Sequence, residues 1–130
     1  MGDDRMIRTS LIALSVIFSG TAFAQTPYTA AEMQALLAKG LAVSSSDLEG
    51  GKTFTARITL AAGGQLSGTL TPAGDKAIPV TGVWKLKGAQ VCRTLAPIQP
   101  EEICETWVKS GAKQATVQVD GKDASINKWQ

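Results

Sequence analysis

From residue 53 to the end of the chain, apolar side chains recur at every second position, and glycine or proline interrupts the pattern at short intervals. In the first run, Phe54, Ala56, Ile58 and Leu60 fall on one side, with Thr53, Thr55, Arg57 and Thr59 on the other. A turn at 61–64 leads back through Leu66, Gly68 and Leu70, which makes the two runs a hairpin. After the turn at 72–76, residues 78–86 place Val80, Gly82, Trp84 and Leu86 on one face, and Pro79 marks an edge or a bend at the strand's start. Runs at 90–95, 102–109, 113–120 and 123–129 follow, separated by Gly88, by Pro97 and Pro100, by Gly111 and by Gly121.

About seven short strands joined by tight turns can cover their apolar faces only if the sheet curls on itself or folds over another element. The expected fold is mainly β, a small antiparallel meander closed as an up-and-down barrel. A half-open two-layer sheet is the alternative. One helix precedes it. Over residues 29–39, Thr29 and Glu32 form a capping box, Tyr28 can staple onto Met33, and Gly40 supplies a left-handed stop. Met33, Leu36 and Leu37 share a stripe, which is expected to dock on the domain's own sheet. Residues 41–43 then run into a polar, glycine-ended loop at 44–51.

Ahead of the helix, Arg5 and Arg8 precede an apolar run at 11–18 and an Ala22-Phe23-Ala24 end, the layout of a secretory signal peptide cleaved after Ala24. The run is much shorter than the roughly 20 apolar residues of a membrane span. Asp3 and Asp4 are unusual in such a leader, and translation from Met6 in place of Met1 gives a more ordinary opening. Residues 25–130 then form a single β-rich domain in the periplasm or outside the cell. Loss of Arg5, Arg8, Asp3 and Asp4 leaves 11 basic and 9 acidic side chains, still +2 and spread along the chain. That is no electrostatic footprint for nucleic acid.

The chain has no histidine, which removes the usual general base, the Ser-His and Cys-His nucleophile pairs and the commonest metal ligand. Glu49-Gly50-Gly51-Lys52-Thr53 ends like a phosphate-binding loop, but Ser46 stands where the motif needs glycine, and a strand follows where it needs a helix. Ser110 and Lys113 have acylase spacing but fall in a turn. Glu101 and Glu102 are adjacent on an extended segment and so point to opposite faces. No catalytic residue, cofactor or metal is expected.

Cys92 and Cys104, in an exported chain, are expected to form one structural disulfide. A hairpin turning about Ile98 sets them directly opposite one another, at the roughly 4.5 to 5.5 Å spacing a bridge can close. The same register puts Val91, Arg93, Leu95, Ile103, Glu105, Trp107 and Lys109 on one face, and Cys92, Thr94, Glu102, Cys104, Thr106 and Val108 on the other. Apolar bulk assigns the first set to the interior. Arg93 and Glu105 go inward with it, either as a pair reaching water at the rim or as a buried ion pair marking a ligand-binding interior. Trp84, Trp107 and Trp129 fill the core or line a pocket.

Gly82-x-Trp84, Gly88, Cys92 and Cys104-x-x-Trp107, preceded by the Thr29-x-x-Glu32 helix, resemble a pattern in small exported proteins of alphaproteobacteria whose function is not assigned. The resemblance implies an envelope protein and supplies no catalytic residues. A weaker similarity is to the small periplasmic barrel inhibitors of secreted metalloproteases, which combine a G-x-W strand with one disulfide and insert an extended N-terminal segment into the protease. Here a capped helix stands at that end. The expected function is a non-enzymatic binding module, acting on an envelope protein or a small ligand through Arg93, Glu105, Trp84 and Trp107. The alternative is an inhibitor of an exported protease or lysozyme.

Overall fold

A computed structural model describes residues 26–130. The leader and its cleavage site lie outside the described residues. One helix, α1 (Ala30–Leu37), is followed by eight antiparallel strands: β1 (Leu41–Ser46), β2 (Phe54–Leu60), β3 (Gln65–Pro72), β4 (Ile78–Lys87), β5 (Gln90–Leu95), β6 (Gln99–Gly111), β7 (Gln114–Val119) and β8 (Lys122–Lys128). Each pairs with its sequence neighbour, and β1 pairs with β8 to close the barrel. Both expectations hold, the mainly β meander and its closure. The count rises by one because β1 lies in what reads as a loop. Its Ser44, Ser45 and Ser46 carry no apolar alternation, yet they pair with Lys128, Asn127 and Ile126 of β8 and with Arg57, Ala56 and Thr55 of β2.

The helix begins as its cap dictates. Thr29 Oγ1 accepts from Glu32 N–H at 3.1 Å, and Glu32 accepts from Thr29 N–H at 2.9 Å. It ends two residues earlier than the sequence pattern implies. The turn through Ala38 and Lys39 is closed by Gly40, whose φ of 82° supplies the left-handed stop and whose N–H reaches Leu37 O. Met33 and Leu37 are fully buried against Val43, Leu60, Val91, Trp107, Ala115 and Val117, so the apolar stripe plugs one end of the barrel. Burial of such side chains is worth about 2 kcal/mol each. An eight-residue helix needs that contact, being too short to hold itself together in water.

The chain reaches that position by completing the barrel wall. β6 extends beyond the start of β5, and residues 26–28 occupy the vacant side. Tyr28 N–H donates to Trp107 O, and Lys109 N–H donates to Thr26 O. Lys109 then holds Glu32 of the helix at 2.7 Å and lies over the Tyr28 ring, and Tyr28 packs on Trp129, which packs on Trp107. Hydrogen bonding from Lys109 keeps Glu32 below its usual carboxylate range.

Two glycines permit the tight curl of the wall. A Cβ at Gly68 would fall on the Arg57 carbonyl, and one at Gly82 on the Thr94 carbonyl, so neither strand could approach its neighbour as it does with a side chain there. Pro79 is the second residue of β4, where pairing to β3 exists through Thr69 but the last backbone bridge toward β5 is already at Thr81. No N–H is required of it. On β2 to β4 the outer wall carries Thr55, Arg57, Thr59, Ser67, Thr69, Thr81, Lys85 and Lys87, all exposed, with Val83 the one large apolar side chain exposed among them, a composition unlike the apolar band of a membrane barrel. Among the described residues no helix is long and apolar enough to cross a membrane.

Candidate functional site

At the end away from α1 the barrel is not filled. A cavity of about 520 Å³ extends from the plug to the open mouth, within the range of small-molecule sites. Its wall is mostly aliphatic, with Ile58, Leu66, Leu70, Leu95 and Val117 among the lining residues, and Phe54, Ile98 and Ile103 at the mouth.

The register at the hairpin of β5 and β6 sets the polar part of the wall. Cys92 stands opposite Cys104 and Arg93 opposite Ile103, as expected, and the two cysteines are bonded. Toward the turn the ladder shifts, so that Leu95 pairs with Gln99. Val91, Arg93, Leu95, Ile103, Glu105 and Trp107 line the cavity, and Cys92 and Cys104 point out of it. The bridge is nonetheless buried at Cys92. Glu102 lies beside its sulfurs, tied to Lys87 at 2.9 Å and Lys85 at 3.7 Å, and the Lys87 ammonium keeps its carboxyl below the usual range.

Arg93 and Glu105 are diagonal neighbours on adjacent strands, a spacing that long side chains span. They meet inside the barrel. Arg93 Nε and Nη2 both reach Glu105 Oε2, at 2.8 and 2.7 Å, and Nη1 donates to Gln99 Oε1 at 3.0 Å. The indole N–H of Trp107 donates to Glu105 Oε1 at 3.1 Å. Both oxygens of Glu105 are thus engaged, and its side chain is only 8% exposed against 18% for Arg93. Trp84 is placed differently from the other three candidates. It turns inward, but its indole N–H donates to Ala61 O at 2.8 Å and its ring packs against the core, so it does not line the cavity.

Four polar residues of the wall escape the sequence pattern: Gln99, which the sequence places in the loop before residue 102, and three at the seam. Ser45 and Asn127 face each other across the seam of β1 and β8, and Ser125 lies two residues before Asn127. Asn127 is 6% exposed, and its carboxamide has no hydrogen-bond partner among the described residues. A buried amide without a partner costs about 1–3 kcal/mol. The signal that could have located the three at the seam is the failure of apolar alternation in both seam strands, where the inward positions hold serine and asparagine.

The loop between β1 and β2 frames the mouth. Asp47 is buried within it and accepts from the N–H groups of Glu49 (2.7 Å), Gly51 (3.3 Å), Thr53 (2.7 Å) and Phe54 (3.1 Å), and from the Thr53 hydroxyl. In a phosphate-binding loop such N–H groups point at the phosphate, whereas here they are directed onto the chain's own carboxylate. The hydrogen bond from Thr53 N–H leads those that hold Asp47 far below its ordinary pKa. A group depressed in the fold stabilises it above the unfolded value, and that contribution is lost as pH falls toward the native one. The melting temperature is therefore expected to fall as pH drops below about 4. In Asp47→Asn it starts lower at neutral pH, and the gap from the parent narrows with acidification. Thermal melts from pH 7 downward check this, and a gap that stays constant counts against it.

No protein-family model, curated protein or solved structure matches the chain.

Proposed function

We propose that this protein is an exported, non-enzymatic binding module that holds a small, largely apolar molecule inside its barrel, between the helical plug and the open mouth. The observation that carries the reading is the cavity itself. It is walled mostly by aliphatic side chains and retains a buried Asn127 carboxamide with no hydrogen-bond partner among the described residues. Natural cores are filled or satisfied; an interior that is neither fits a molecule that supplies the missing contacts. Export is supported by the leader-like residues 1–24 and by a disulfide, which is stable in oxidising compartments. Residues 26–28, hydrogen-bonded into the wall beside β6, do not fit the extended segment of the metalloprotease inhibitors.

The test is titration of residues 25–130 with phenylnaphthylamine, a neutral dye that brightens in apolar surroundings. Saturable binding of one dye per chain is expected, weakened in Ala56→Trp, whose indole takes up part of the cavity. Absence of binding, or binding unchanged in Ala56→Trp, overturns the reading, as does catalytic turnover removed by one side-chain change.

A further inference from the structure

We infer that the occupant of the cavity is electrically neutral and presents a carbonyl oxygen, as in an ester, ketone or amide of an aliphatic chain, to the outer edge of Arg93. The inference rests on the interior-binding reading and specifies the ligand's chemistry. A guanidinium has five N–H donors. In Arg93, Nε and one N–H of Nη2 are committed to Glu105, and one N–H of Nη1 to Gln99. One N–H remains on each of Nη1 and Nη2, and among the described residues neither has an acceptor. Gln99 spends its oxygen on Arg93, which leaves its amide N–H groups as further donors on the same wall. The groups left without any partner at this pole of the cavity, the two guanidinium N–H groups and the Gln99 amide N–H groups, are donors.

Two kinds of group accept from such an edge, an anion and a neutral carbonyl. The charge balance decides between them. Arg93 is already neutralised by Glu105 at 2.7 Å, and among the described residues no other basic side chain lines the cavity. A carboxylate or phosphate entering would add an uncompensated negative charge to a mostly aliphatic space, beside the Glu105 carboxylate, and buried charge without a partner is costly. A carbonyl adds none. It takes the two remaining N–H groups on its two lone pairs while its chain lies against Leu66, Leu70 and Leu95. Asn127 and Ser45, on strands across the barrel from β5, offer a second polar contact to a ligand long enough to reach them.

The experiment measures displacement of phenylnaphthylamine by methyl octanoate, octane and sodium octanoate, matched in chain and differing at the end. Methyl octanoate is expected to bind at least about tenfold tighter than either of the others, the factor a hydrogen bond to a charged donor supplies. In Arg93→Leu/Glu105→Leu, which removes the fork without stranding a charge, the ester's advantage over octane should fall to about onefold. Arg93→Lys keeps the pair with Glu105 but loses the fork, and is expected to show the same fall should the double variant not fold. Octanoate binding as tightly as the ester overturns the neutral assignment. Equal binding of ester and octane, or an advantage that survives both variants, overturns the role of Arg93 while leaving interior binding intact. Binding of neither dye nor any of the three compounds overturns the interior-binding reading itself.

Discussion

Glu105→Ala is expected to lower stability by about 3 kcal/mol, a drop in melting temperature of roughly 15 °C for a domain of this size. Little of that loss is the side chain's own packing. Truncation leaves Arg93 charged in an aliphatic wall and leaves the Trp107 indole N–H without an acceptor, and stranded partners cost more than the missing bond. Arg93 retains some access to water through the mouth, which holds the figure at the lower end of the range for buried pairs. The origin can be separated by rescue. In Arg93→Leu/Glu105→Leu the stranded charge is gone and the loss should be recovered except for the cost of the unpaired Trp107 N–H, whereas Glu105→Gln, which keeps one acceptor oxygen but still leaves the Arg93 charge uncompensated, should lose nearly as much as Glu105→Ala. Urea unfolding of the four proteins checks this. A double variant no more stable than Glu105→Ala would show that packing, rather than the unpaired charge, sets the cost.

Removal of the bridge in Cys92→Ala/Cys104→Ala is expected to cost on the order of 3 kcal/mol, from the entropy of the closed loop of about thirteen residues that it releases in the unfolded chain. For a single small domain that is a large share of the total. The bridge lies at the register pair next to Arg93 and Ile103, so its loss also loosens the diagonal on which the ion pair depends. Reduction of the parent protein should bring its urea midpoint close to that of the double variant. If reduction leaves the midpoint unchanged, the bridge contributes little to the fold.

The strands that alternate cleanly could be read in advance, because their inner positions are all apolar and each ends at a glycine or proline. The cross-strand disulfide followed from hairpin arithmetic alone, and with it the inward face bearing Arg93, Glu105 and Trp107. Their mutual contact was also readable, since a one-residue error in register would have put Cys92 and Cys104 out of reach of each other. The closing strand was hidden. Alternation identifies a strand by what it buries in a packed core, and β1 and β8 turn serine and asparagine toward a space that is not packed. Trp84 could not be separated from Trp107 by sequence, because both point inward and both pack on the cluster around the plug; they differ in that Trp84 spends its indole N–H on the Ala61 carbonyl, outside the cavity lining, and Trp107 spends its own on Glu105 in the cavity wall.

The seam between β1 and β8 rests on three residue pairs, and it joins the first strand of the meander to the last. All other pairings between the eight strands link neighbours in sequence and close short loops, so, together with the bridging of residues 26–28 to β6, this ladder carries the entropy of bringing distant segments together. The order of assembly follows: the hairpins can form locally, and closure comes last. In the interval two edges stand unpaired, a geometry that invites pairing between molecules. Their composition counters that hazard. Three serines on one edge and Lys128 at the end of the other give a neighbouring chain little apolar surface to grip, so the same residues that obscure the strand in the sequence protect the open intermediate from aggregation.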